Sequence, residues 1–226
     1  MDKTIYHGSI DIIKQPIFGK GALTNDYGRG FYCTEDIELA KEWACGNDTD
    51  GYANKYNLNL DKLKILYLNS DEYSILNWLA VLTKFRTYWQ SGSIAEEAKN
   101  YLHDNFYVDV SLYDVIIGYR ADDSYFSFAQ DFVSNAISLR KLSEAMRLGR
   151  LGEQIVLKSE KAFKQIRFLD YEEADGEIYY NKKKERDDGA RRDYRSNKQG
   201  ADTANDIFMI DIIRQGIKSG DERLKI

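Results

Sequence analysis

The chain has little of what staples small proteins together. Two cysteines, Cys33 and Cys45, and two histidines, His7 and His103, stand in 226 residues. A four-ligand zinc site would need all four to converge, so neither a disulfide scaffold nor a bound metal is expected. Only one proline, Pro16, occurs, and seams between parts must be sought in composition instead. Long apolar runs are missing: the best, Ile75 to Leu82, is broken by Asn77 and falls far short of the roughly 20 residues of a bilayer span. The opening Met1-Asp2-Lys3-Thr4-Ile5-Tyr6-His7 lacks the basic segment, apolar stretch and cleavage site of a secretory signal. A cytoplasmic protein without membrane contact is the expectation. An excess of positive charge is absent too. The 37 acidic and 32 basic side chains leave a formal charge of −5, which argues against indiscriminate nucleic-acid binding and confines any such contact to a local patch.

What is present is enough to fold. Hydrophobic residues make up 43% of the chain, sufficient for a buried core at this length. From Thr4 to Asp170, apolar clusters and turn signals alternate steadily, and residues 1–170 read as one domain. Beyond it, residues 171–226 read as a charged loop and a C-terminal helix packing on the same domain. The loop spans Glu172 to Gly200; within it, Lys182 to Lys198 holds eight basic and four acidic residues. Arg191, Arg192, Arg195 and Lys198 there, with Tyr194 to stack, are candidates for an anionic target. Ile207, Phe208, Ile210, Ile212, Ile213 and Ile217 recur at one-face helical spacing and predict the terminal helix.

Within the main body, strands are expected at Thr4-Ile5-Tyr6-His7-Gly8-Ser9, around Gly28 to Thr34, at Tyr52 to Leu60, Leu63 to Leu68, Tyr113 to Tyr119, Glu153 to Lys158 and Ile166 to Leu169. Helices are expected at Ile37 to Ala44, about Glu72 to Gln90, Ser93 to Leu102 and Phe126 to Leu148, with a turn at Ser159 to Lys161. Strands separated by a helical middle predict an α+β domain with mostly antiparallel sheets.

Two segments set a polar ring beside glycines that permit close approach to a ligand: Tyr6-His7-Gly8-Ser9, and Gly28-Arg29-Gly30-Phe31-Tyr32-Cys33-Thr34. Together they resemble the ADP-ribosyltransferase superfamily, in its diphtheria-toxin and poly(ADP-ribose)-polymerase branch with a His-Tyr-Glu triad. Further stretches extend the likeness: Asp26-Tyr27 before the second segment, Ala40 and Trp43-Ala44 after it, Ala121-Asp122-Asp123-Ser124-Tyr125-Phe126, and Gln154-Ile155-Val156-Leu157-Lys158-Ser159-Glu160-Lys161-Ala162. Over roughly Thr4 to Phe168 the chain is similar to an uncharacterised bacterial family of that superfamily, whose members often look like the toxin half of two-gene toxin–antitoxin modules.

The resemblance implies split antiparallel sheets around an NAD cleft, with a helical middle and a C-terminal helix. It implies NAD as substrate, a macromolecular acceptor that is protein or nucleic acid, and a cognate antitoxin protein as partner. By similarity, the His7 imidazole would bond a ribose hydroxyl of the adenosine half, Gly8 would offer its backbone to the nicotinamide carboxamide, and Tyr32 would stack on the nicotinamide ring. Ser9 would add a hydroxyl contact, and Arg29, between two glycines, is placed for the diphosphate or else is an exposed loop arginine.

The third triad position falls on adjacent Glu153 and Gln154, of which only one can face a cleft because strand side chains alternate. Glu153 inward would bring a carboxylate to offset charge at the sugar. Gln154 inward would keep a hydrogen-bond partner without the charge and lower the expected turnover; it is favoured because the Gln-apolar stretch carries the likeness. The expected activity is mono-ADP-ribosyl transfer; the alternatives are a module that binds NAD or ADP-ribose without turnover, and an NAD glycohydrolase. A second constellation, Arg120, Asp122 and Asp123, would clamp a phosphate and orient a nucleophile, or else form a turn with a helix cap. His103 is expected at the surface, and Cys33 and Cys45 as small buried or semi-buried residues.

Overall fold

The computed structural model describes residues 1–87, 92–121, 123–148 and 152–224. Its strands form two sheets. The first joins β1 (Asp2–Ser9), β3 (Gly51–Asn59) and β7 (Ile166–Ala174) in the order β1-β3-β7, antiparallel throughout. The second joins β2 (Phe31–Cys33), β6 (Glu153–Leu157), β5 (Val115–Tyr119) and β4 (Ile65–Tyr67) in the order β2-β6-β5-β4. Among the described residues only the β4–β5 pair is parallel, and its strands are joined by the helical crossover that parallel neighbours need.

Strand alternation explains how the two sheets meet. Ile5 on β1 and Tyr56 and Leu58 on β3 face Phe31, Cys33, Val115, Ile117, Ile155 and Leu157 of the second sheet, forming a shared core. Val156, on the opposite face of β6, joins Trp78, Leu79, Phe128, Phe132 and their neighbours in a larger helical core. That core is built by α2 (Ile75–Phe85), α3 (Ser93–Phe106), α4 (Asp123–Val133), α5 (Leu139–Ala145) and α8 (Met209–Arg214). The outer face of the first sheet is covered by α1 (Ile37–Ala44), so close to β1 that a Cβ on Gly8 would lie 2.0 Å from the Ala40 carbonyl oxygen. At the seam, Tyr6 N–H donates to Thr34 O at 2.7 Å and Thr34 N–H returns a bond to Tyr6 O at 2.9 Å. This bridge ties the two sheets at their edges, between His7 and Tyr32.

The α+β expectation holds, and among the described residues each of the seven strands overlaps a segment expected to be one. Several expectations need correction. Residues 172–200 are not a loop: β7 runs on to Ala174 and is followed by α7 (Gly176–Gln199), a 24-residue helix. Asp175 caps it by accepting Ile178 N–H, and no proline interrupts it. Its docking is mostly polar, which is why no apolar stripe announces it. Arg186 forks onto Glu42 at 2.6 and 2.9 Å, the Ser124 hydroxyl donates to Asp187, and Tyr194 stacks on Phe128 with ring centroids 3.9 Å apart. The helix expected over 126–148 is two, because Asn135 adopts φ 66° and Ser138 restarts the chain as the N-cap of α5. The helix expected over 72–90 ends at Phe85, and residues 88–90 lie outside those described. Ser159 caps a short helix, α6 (Glu160–Lys164), in place of the expected turn. Among the described residues no helix is long and apolar enough to cross a membrane.

Candidate functional site

At the seam between the sheets lies a cavity of about 540 Å3, within the range of about 300–1,000 Å3 usual for small-molecule sites. Its walls come from seven places in the chain: His7 on β1, the segment from Asp11 to Tyr32, Trp43 on α1, Arg86 after α2, Arg120 and Ala121 after β5, Gln154 on β6 and Phe163 on α6.

His7 shares the inward face of β1 with Ile5 by alternation. Its ring rests on Phe31, centroids 4.3 Å apart, and Nδ1 lies 2.6 Å from the carbonyl oxygen of Tyr32. A carbonyl only accepts, so Nδ1 carries the hydrogen and the neutral ring keeps Nε2 as an acceptor. Burial lowers the imidazole pKa below its ordinary 6.5, and the bond to Tyr32 only partly opposes this. The ring is therefore neutral at pH 7.

Tyr32 lines the same cavity, with its hydroxyl already engaged. It donates to Gly28 O at 2.6 Å and accepts Tyr27 N–H at 3.0 Å, which closes the turn containing Gly28 (φ 71°). Burial raises its phenol pKa, so it is neither a base nor an anion here. The ring face is what it offers.

Of the adjacent pair on β6, Gln154 lines the cavity and is 5% exposed. Glu153 is exposed and accepts a bond from Asn69 Nδ2 at 3.0 Å. Gln154 donates through Nε2 to Asp26 Oδ2 at 2.9 Å, and its buried Oε1 has no hydrogen-bond partner among the described residues. Asp26 in turn accepts Arg86 Nε at 2.8 Å and Ala121 N–H at 2.9 Å, and Arg86 also donates to Ala121 O at 2.8 Å. Arg120 lies over the Trp43 indole, 3.4 Å from its centroid, and the buried indole Nε1 is likewise without a hydrogen-bond partner among the described residues. Lys20, Arg86 and Arg120 stand against Asp11 and Asp26 in the lining, an excess of one positive charge that favours an anionic guest.

Three expected ligand residues stand elsewhere. Gly8 does not line the cavity; its missing side chain makes room for the backbone of α1. The Ser9 hydroxyl is occupied by Asp11 O and by Asn54 Nδ2 at 3.1 Å. Arg29 is exposed and outside the lining, and its carbonyl accepts a bond from Lys158. Asp122 lies outside the described residues, and Asp123 is placed only as the first residue of α4.

Asp26, Arg86 and Trp43 are among the lining residues to which the sequence alone assigns no role. Asp26 and Trp43 stood within stretches carrying the resemblance, and a lone acid beside a glycine-flanked aromatic strand was the available signal. Arg86 gave none, since it lies 60 residues from the carboxylate it pairs with.

The buried Asn54 anchors the part of the wall around Asp11 and Ile13. It accepts Ile13 N–H and donates to His7 O and Asp11 O, while Tyr56 donates to Ile13 O. No metal-holding group of three or more His, Cys, Asp or Glu occurs among the described residues. No curated protein and no solved structure matches the chain. Residues 3–168, which supply every wall of this cavity, match the model of a family described as "Protein of unknown function (DUF3990)", and the chain belongs to that family.

Proposed function

We propose that the protein is an NAD-dependent mono-ADP-ribosyltransferase whose dinucleotide occupies the cavity at the sheet seam. One observation carries the reading: His7, Tyr32 and Gln154, far apart in sequence, line a single cavity between two edge-stitched sheets. Nothing in strand periodicity alone requires them to meet.

Transfer needs the bond between nicotinamide and ribose to break with its electron pair leaving on nicotinamide. The sugar becomes oxocarbenium-like before an acceptor nucleophile attacks it. The Tyr32 ring face supplies a platform for nicotinamide, stacking being worth about 0.5–1.5 kcal/mol beyond burial. His7 Nε2 accepts from a ribose hydroxyl. Gln154 Oε1 accepts from a hydroxyl of the reacting ribose and turns the negative end of its dipole toward the developing charge. Arg120 suits the diphosphate, with the Trp43 indole beneath it.

A second reading is favoured by one specific feature. The cavity carboxylate nearest the expected third triad position, Asp26, is already bound to Arg86, Ala121 and Gln154. A site with an amide in place of a free carboxylate suits slow turnover, or a module that holds NAD or ADP-ribose without cleaving it.

Purified protein incubated with NAD labelled in its adenylate half and with bacterial lysate separates these readings. Label on a macromolecule, sensitive to nuclease or protease and lost with His7→Ala, is the expected result. Saturable binding without nicotinamide release supports the module, nicotinamide release without a labelled product supports a glycohydrolase, and no binding removes all three.

A further inference from the structure

We propose that Asp26 is the positioning residue that sets the polarity of the Gln154 amide, and so determines that the cavity presents an acceptor to its ligand. For the identity of the ligand, this inference rests on the function proposed above. The orientation itself does not.

Asp26 is 5% exposed and every bond to it comes from a donor. Arg86 Nε reaches Oδ1 at 2.8 Å; Ala121 N–H and Gln154 Nε2 both reach Oδ2 at 2.9 Å. A guanidinium and a backbone N–H have no acceptor lone pair to offer. Asp26 must therefore accept from both, which fits an ionised carboxylate beside a permanent cation. Burial raises its pKa above the ordinary carboxylate value, and the Arg86 charge and these three donors oppose the rise. Gln154 has two chemically different ends of nearly the same shape. With Asp26 ionised, the end facing it is the NH2, because an amide oxygen there would oppose lone pair to lone pair.

Oε1 is then fixed away from Asp26, buried and without a hydrogen-bond partner among the described residues. Buried polar atoms are rarely left in that state, and each calls for an explanation, a bound ligand among them. This one belongs to a side chain that lines the cavity. The clamp is also well braced. Arg86 donates to Ala121 O, so the ends of α2 and β5 are locked together around Asp26. Removing the charge from Asp26 releases the constraint. In Asp26→Asn the side-chain oxygen would stay with the charged Arg86, and the introduced amide nitrogen would turn toward Gln154 at the cost of the bond from Ala121 N–H. The Gln154 amide would then invert and put NH2 where the ligand meets an acceptor.

Two measurements test this. The first needs no ligand. The Gln154 side-chain amide signals in a 15N–1H NMR spectrum, assigned by their loss in Gln154→Glu, should include one downfield, slowly exchanging proton that shifts as the Asp26 carboxyl titrates. In Asp26→Asn that proton should lose its downfield shift. A signal that follows no carboxyl titration, or is unchanged by Asp26→Asn, overturns the proposal. The wild-type titration decides the matter even if Asp26→Asn does not fold.

The second measurement is NAD titration by calorimetry. Asp26→Asn should weaken binding at least tenfold. The double variant Asp26→Asn/Gln154→Glu should regain most of the loss, because one oxygen of the introduced glutamate accepts from the introduced asparagine amide and the other faces the cavity. Folded Asp26→Asn that binds NAD like wild type, or a folded double variant no better than the single one, also overturns it. Failure of wild type to bind NAD instead overturns the proposed function, and the NMR result then stands alone for Asp26.

Discussion

Gly8→Ala separates a ligand role for Gly8 from a packing role. The resemblance to ADP-ribosyltransferases places Gly8 at the nicotinamide carboxamide; the structure places α1 against it. An added Cβ would lie 2.0 Å from Ala40 O, 2.8 Å from Ala44 N and 3.0 Å from Ala40 C. All three are backbone atoms of α1, so no rotamer change relieves the overlap and the helix itself must lift by about an ångström or more. Overpacking of buried sites costs about 1–3 kcal/mol, and a clash confined to backbone belongs at the upper end, about 3 kcal/mol. For a chain of this size, about 2–4 °C of melting temperature is lost per kcal/mol, so a drop of about 6–12 °C is expected. Gly51→Ala, on the neighbouring strand β3, is the matched control. Its Cβ would meet Ala44 O at 2.4 Å, and Gly51 does not line the cavity. Both variants should lose stability by circular-dichroism melting, and both should weaken NAD binding only indirectly, through displacement of Trp43 on the same helix. A Gly8→Ala protein that melts within a degree of wild type yet no longer binds NAD would refute the packing assignment.

Other perturbations probe the site directly. Gln154→Ala should weaken NAD binding about tenfold, as expected for one lost hydrogen bond of roughly 1–1.5 kcal/mol. Glu153→Ala, which removes an exposed side chain bonded to Asn69, should leave binding within twofold of wild type; equal effects from the two would contradict the alternation on β6. NAD affinity should be flat from pH 7 to 8 and fall on acidification, with a midpoint below the ordinary imidazole value of 6.5. Burial keeps His7 neutral there, and protonation converts Nε2 from acceptor to donor. Affinity unchanged down to pH 5 would remove His7 Nε2 from the contact. Lys158, which donates to Tyr27 O and Arg29 O at 2.6 Å each, is pushed down by burial to about 8. Between that pH and the unfolded-chain value of 10.5, the unfolded state holds a proton that the folded state has released, so stability gains a contribution that rises with pH. The melting temperature of wild type relative to Lys158→Met should therefore climb from pH 8 to 10, and a constant difference would contradict the shift.

The parts of this fold readable in the sequence are those governed by alternation. Ile5 and His7 share a face of β1, and Gln154 and Val156 share a face of β6, because the strand period is two and a buried strand carries that pattern openly. What resisted reading is what polar contacts assemble. Helix α7 buries Ala190 and Tyr194 but is docked largely by pairs such as Arg186–Glu42, which leave no apolar period to detect. Arg86 was invisible for a related reason: a guanidinium after an apolar helix reads as a solvated end until the chain brings Asp26 to it. Gly8 can be read two ways: a missing side chain admits a ligand to the backbone, and it equally admits the close approach of α1 found here. The break between α4 and α5 turns on Asn135, a residue type that tolerates φ 66° and so ends a helix the apolar pattern would continue.

The Asp26 clamp also accounts for an amide at a position where the resemblance leads one to expect an acid. The terminal atom of residue 154 that faces Asp26 lies 2.9 Å from its Oδ2. Two carboxylates that close cannot both ionise, and they share a proton whose loss is deferred to higher pH. With Asp26 committed to Arg86, a donor is what position 154 requires, and glutamine supplies it without altering side-chain length. Gln154→Glu should therefore fold with one extra proton held between residues 26 and 154. The unfolded chain gives up both carboxyl protons near pH 4, the ordinary range for aspartate and glutamate, whereas the folded variant keeps one until the raised pKa of the pair. Over that window the folded state binds more protons than the unfolded state, so stability falls as pH rises. Melting of Gln154→Glu should lie close to that of wild type at pH 5 and clearly below it at pH 8. The same deficit at both values would show that the two side chains do not share a proton, and the geometry of the clamp would lose its explanation for the glutamine.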